Sequence, residues 1–122
     1  MVDLHDAQSE TIALYRPVGE QELALIEASG FQAFPPRLEW QPIFYPVTTE
    51  QYASTISRAW NARDGHCGFV TRFAVEAQYL RQFETHIVGS HEHEEYWIPA
   101  ERLDEFNAHI IGPIEVIATF AS

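Results

Sequence analysis

"DGHCGFVTRFAV", Asp64–Val75, opens on a turn signal and then alternates. Cys67, Phe69, Thr71, Phe73 and Val75 fall on one parity, and Gly68, Val70, Arg72 and Ala74 on the other. Period two is the signature of a strand, because successive side chains point to opposite faces. Its neighbours decide the class of the fold. Upstream, "TIALYR" (Thr11–Arg16) is a short apolar run stopped by Pro17 and Gly19, the pattern of a buried strand. "EQELALIEASG" (Glu20–Gly30) sets Leu23 and Ile26 at helical spacing beside Leu25, opens on acidic residues that suit the helix dipole, and stops at glycine. "FQAFPPRLEWQP" (Phe31–Pro42) holds three of the seven prolines and reads as an extended segment and loop. "IFYPV" (Ile43–Val47) is a second strand. Thr48 or Thr49 caps the helix that follows, Gln51 completing a capping-box pattern with Thr48, and Tyr52, Ile56, Ala59 and Trp60 share its face.

Downstream of the alternating stretch, "EAQYLRQF" (Glu76–Phe83) is a short helical turn, and "ETHIVG" (Glu84–Gly89) and "EEYWIP" (Glu94–Pro99) are strands. "AERLDEFNAHI" (Ala100–Ile110) presents Leu103, Phe106 and Ile110 on one side of a helix, and in "GPIEVIATF" (Gly112–Phe120) Ile114, Val116, Ala118 and Phe120 alternate. Helices come early and strands dominate late. The expected architecture is α+β: a single compact domain with a mixed, mostly antiparallel sheet and flanking helices, rather than a doubly wound parallel sheet. The chain has no Gly-rich phosphate loop of either common type.

The length of 122 residues with 46% hydrophobic content suits one core. Residues 1–10 are polar and aperiodic, a flexible N-terminal extension, and residues 11–122 form the domain. With no basic start and no long apolar run, the N-terminus reads as neither signal peptide nor membrane span, so a cytoplasmic location without membrane partners is expected. The single cysteine, Cys67, excludes an intramolecular disulfide and suits a reducing compartment. Seven basic residues against 18 acidic ones give a formal charge of −11. Such a field opposes nucleic-acid backbones and favours a basic protein partner.

"LYRPVGEQELALIEASGF", "IFYPVTTEQYASTISRAW" and "HEEYWIPAERLDEFNAHIIGPIEVIATF" together resemble a small bacterial family labelled "ADP-ribosylation/crystallin J1", over about Ala13 to Phe120. The second half of that label refers to large helical hydrolases with metal-binding aspartates, for which this chain is too short and too rich in strands. The first half fits better, because the element order is similar to the mono-ADP-ribosyltransferase fold. The resemblance implies a cleft between two halves of the sheet. It makes Arg16 the arginine that ends the first strand in the Arg-Ser-Glu subgroup. "FYPVT" stands where that subgroup has Ser-Thr-Ser, keeping only Thr48, with Tyr45 nearby to stack on a ring. "EYWIP" puts the catalytic glutamate at Glu95. His93 replaces the upstream glutamate that helps activate an arginine acceptor, which argues against arginine-directed transfer.

What the resemblance implies is an NAD-dependent ADP-ribosyltransferase-like protein with NAD as its substrate, a nucleotide-type ligand in the cleft and an unassigned protein acceptor. Arg16 and Glu95 are the catalytic residues, Arg16, Tyr45, Thr48 and Arg37 hold the NAD, and His93 contacts substrate. The chemistry needs few groups, since NAD carries its own leaving group and a carboxylate stabilises the positive charge that develops on the ribose. The same residues also have structural uses: an arginine paired with a carboxylate, a core tyrosine, a solvated edge glutamate. The alternative is therefore a non-catalytic acidic binding or regulatory protein that retains the fold. His91, His93 and Glu95 alternate on one strand face and could reach one ion, but no fourth ligand is evident and no metal is expected. Cys67 reads as a buried structural cysteine, and Trp40 and Trp97 as core residues rather than ligand platforms.

Overall fold

The computed structural model describes residues 10–89 and 93–121. Strand β1 (Thr11–Val18) leads into helix α1 (Glu20–Ala28). Gly30 closes that helix at φ 75°, a backbone conformation that costs glycine little, and the Phe31 N–H then reaches back to the Ile26 carbonyl at 3.0 Å. After the proline-rich segment come β2 (Ile43–Phe44), α2 (Glu50–Ile56) with a π turn over Ser57–Asn61, and β3 (Cys67–Glu76). The chain continues through α3 (Ala77–Leu80), β4 (Thr85–Ile87), β5 (Glu94–Tyr96) and β6 (Ile98–Pro99). A 3-10 turn, α4 (Leu103–Ala108) and β7 (Ile110–Ala121) complete it. This is the expected α+β architecture, and every strand pairing among the described residues is antiparallel.

β3 lies between β1 and β7, which explains why Val70, Thr71, Phe73 and Val75 are all buried. β7 is the outer strand and carries two register shifts against β3, opposite Val70/Thr71 and Arg72/Ala74. The expected alternation of Ile114, Val116, Ala118 and Phe120 therefore breaks: Val116 is exposed, and Ile117 packs on the core instead.

Residues 42–48 and 94–100 form one interrupted antiparallel ladder. Ile43 faces Pro99, Phe44 faces Ile98 and Val47 faces Glu95, all in a single register. Backbone bonds at both ends hold it, from Ala100 N–H to Pro42 at 2.9 Å and from Thr48 N–H to Glu94 at 3.0 Å. The interruption falls at Pro46, which has no N–H to give. Val47 also exchanges both backbone bonds with Tyr15, at 2.9 and 2.8 Å. One residue thus couples the three-stranded sheet to the β4–β5 hairpin.

One face of this assembly carries the main core, where Phe34, Phe44, Phe73 and Phe106 pack with ring centroids 4.8–6.2 Å apart. Ile26 of α1 and Leu103 of α4 close over it. The opposite face holds a smaller cluster of Val47, Tyr52, Ala53 and Val70 beneath α2.

Several expectations are corrected here. Thr49, not Thr48, caps α2 by accepting the Tyr52 N–H at 3.1 Å, so the capping box with Gln51 does not form. The shared face of Tyr52, Ile56, Ala59 and Trp60 ends at the π turn, which rotates Ser57 inward and leaves Trp60 70% exposed. Trp40 and Trp97 are exposed rather than core, and Cys67 is half-buried at the open start of β3. "EEYWIP" bends at Trp97 into two short strands. Apart from Glu10, the expected N-terminal extension lies outside the described residues. No helix among the described residues is long and apolar enough to cross a membrane.

The π turn sits tightly on β3. A Cβ at Gly68 would stand 2.4 Å from Ser57 Oγ and 2.8 Å from both the Ser57 carbonyl and Asn61 Cβ. Gly68→Ala is therefore expected to cost about 1–3 kcal/mol, read from the urea midpoint, because the opposing atoms include backbone.

A smaller effect is expected in acid. Arg102, hydrogen-bonded to the Glu105 carboxylate, holds that group below its ordinary value of 4.5. A lowered folded value means that the stabilisation is present above pH 4.5 and is lost as pH falls through the folded value. Thermal melts of Glu105→Gln should lack that component of the acid-side decline, and the effect is modest because the pair is solvent-screened.

Candidate functional site

The row Tyr15, Val47, Glu95 and His86 crosses the sheet through directly opposed residues, so these side chains share one face. Alternation adds Tyr45 and Trp97 to that face. On that face lies a groove of about 490 Å³, in which Tyr45, Val47, Ile56, Val88 and Trp97 surround Glu95. Arg16, Pro17 and Asn61 complete the wall.

Glu95 is half-buried, and both of its oxygens are held. Oε2 accepts the Tyr52 hydroxyl at 3.2 Å and Oε1 accepts the Trp97 Nε1–H at 2.9 Å. Burial, and then the Glu95 charge, push the Tyr52 phenol above its ordinary range, so it stays protonated and donates. Rings back both donors. His93 stacks on Tyr52 at 4.3 Å, His86 stacks on Trp97 at 3.8 Å, and Tyr45 meets Trp97 edge-on at 5.9 Å. The result is a carboxylate fixed in direction, set among flat apolar surfaces.

The structure brings some of the sequence-derived residues to this groove and not others. Tyr45 and Glu95 line it, whereas His93 stands outside the wall, stacked on Tyr52, the donor to Glu95. Arg16 also lines it, but as the neighbour of Tyr15 on β1 its guanidinium turns to the other face. There it forms a two-pronged ion pair with Glu22, at 2.7 and 3.0 Å, and lies 4.6 Å over the Phe44 ring. Arg37 stands outside the wall, where it donates to the Ile43 carbonyl and lies 6.0 Å from the same ring. Burial first, and the Arg16 charge second, lower its pKa. Two guanidiniums on one ring thus face a single engaged carboxylate, Glu22. Thr48 is used by the ladder, since its N–H and its hydroxyl both go to the Glu94 carbonyl.

Reading the sequence missed Tyr52 and Trp97 as partners of Glu95. The signal for Trp97 was there: two residues beyond Glu95 on a strand means the same face. Tyr52 gave none, because its contact with Glu95 spans 43 positions. His91 of the considered metal trio lies outside the described residues. Among those described, no group of three His, Cys, Asp or Glu side chains converges to hold an ion.

No family model, curated protein or solved structure matches the chain. What the groove can do follows from its own groups. A fixed carboxylate accepts hydroxyl hydrogens and stabilises a nearby cation, and aromatic walls take a planar ring. The pairing of a concave, mostly apolar wall with one oriented charge is the usual make-up of a small-molecule site.

Proposed function

We propose that the Glu95 groove binds NAD or a related ADP-ribose compound and that it transfers ADP-ribose from NAD to an acceptor. The observation that carries this reading is the Glu95 carboxylate, held by Tyr52 and Trp97 on the floor of an aromatic groove. In this reading the nicotinamide ring lies against Trp97 and Tyr45, and Glu95 faces the attached ribose. The bond from C1′ to the pyridine nitrogen breaks, its electron pair leaves with neutral nicotinamide, and Glu95 stabilises the cation that develops on the sugar. The acceptor's oxygen or nitrogen then bonds to C1′ and gives up its proton to a neighbouring imidazole, His93 stacked on Tyr52 or His86 stacked on Trp97.

Calorimetric titration with NAD, with nicotinamide release measured in parallel, tests the proposal. Saturable binding with release supports it, and no heat at millimolar NAD would overturn it. A second reading, a non-catalytic acidic binding protein, is favoured by the Arg16 guanidinium already occupied by Glu22 and by the formal charge of −11. Binding without nicotinamide release would select that reading.

A further inference from the structure

We infer that the Glu95 groove binds a small molecule headed by a quaternary ammonium group, a permanent cation that carries no N–H. The inference concerns the groove of the proposed function but rests on its geometry alone, not on NAD. Tyr45 and Trp97 set their rings 5.9 Å apart at 89°, so that two aromatic planes make a corner; both line the groove and are more than a third exposed. His86, stacked on Trp97 at 3.8 Å, backs one wall of that corner and holds it before any ligand arrives. Ring faces attract a cation through their quadrupole, and quaternary ammonium compounds are the ligands that such aromatic enclosures take. The Glu95 carboxylate completes the corner.

No cation of the protein's own answers that carboxylate. Glu95 takes part in no ion pair among the described residues, Arg16 of the wall gives its guanidinium to Glu22 at 2.7 and 3.0 Å, and the chain contains no lysine. The compensating charge is left to the ligand. Both Glu95 oxygens already accept a hydrogen bond, from Tyr52 and Trp97, and Val47, Ile56 and Val88 around them offer only apolar side chains. An ammonium brings three N–H donors that would lose water without finding enough acceptors there, whereas trimethylammonium has none to satisfy and rests its methyl groups on apolar walls. Its charge still meets Glu95. A volume of about 490 Å³ leaves room beside the head for a short tail, and that tail is neutral, because an anionic one would meet the formal charge of −11.

An NMR titration of the full chain, read at the Trp97 indole N–H, tests this with three ligands: choline, its neutral isostere in which carbon replaces the nitrogen, and ethanolamine, whose head is an ordinary ammonium. Choline is expected to bind about tenfold more tightly than either, since the isostere lacks the charge and ethanolamine must give up its water. Tyr45→Leu keeps apolar bulk and removes one ring face, so it should weaken choline about fivefold and leave the isostere unchanged. Glu95→Gln should bring choline and the isostere to within about threefold of each other, with thermal melts reporting that both variants keep the fold. The wild-type series stands by itself if either variant fails to fold. Equal affinity of wild type for choline and its isostere would overturn the inference, as would equal affinity for choline and ethanolamine. NAD binding without choline binding would overturn the inference and spare the proposed function; choline binding without NAD binding would do the reverse.

Discussion

Glu95→Gln is expected to lower nicotinamide release from NAD by about 10²–10³-fold, the usual loss when one group aimed at a developing charge is removed. The amide keeps the shape and one acceptor, while its NH2 end faces a donor, Tyr52 or Trp97. Stability should consequently fall by at most about 1 kcal/mol. Binding of NAD should change far less than turnover, because the carboxylate acts mainly in the transition state. A steady-state assay with a parallel thermal melt reads both quantities. Equal, non-zero turnover by the two proteins would remove Glu95 from the chemistry.

Phe44→Ala is expected to cost about 3–5 kcal/mol in a urea titration, a large part of the stability of a domain this size. Phe44 is fully buried, and its ring packs on Phe34 and Phe106 at 5.1 and 5.4 Å. The same ring carries the guanidiniums of Arg16 and Arg37. Truncation thus empties the core and removes the surface on which two like charges are held apart. A loss below about 1 kcal/mol would show that the cavity collapses freely and that this ring is not the keystone of the packing.

The regular parts of this fold were legible because they obey a fixed period. The alternation from Cys67 to Val75 marks β3, and the run from Thr11 to Arg16 marks β1, since each pattern reports local geometry. What escaped depends on distant residues. Nothing near Val47 announces that it bonds Tyr15 on one side and faces Glu95 on the other. The π turn over Ser57–Asn61 was hidden because an ordinary helix continues the same apolar spacing, and only the approach of Gly68 shows why the turn widens. Of the residues singled out at the candidate site, Glu95 and Tyr45 do share one groove, since Tyr45, Val47, Glu95 and Trp97 lie on one strand face. The direction of the Arg16 side chain depends on which strand face meets the core, and one step of register reverses it.

The outer strand has a consequence for how copies of this protein meet. β7 is twelve residues long, and among the described residues only one of its sides is paired. A long open margin of backbone donors and acceptors invites another chain to add itself and begin a fibril. Two features blunt that invitation. Pro113 withholds a donor, and the two register shifts twist the margin so that no long straight row is offered. The irregularities that spoil the alternation of β7 are, in this light, features that make its margin a poor template for a second copy.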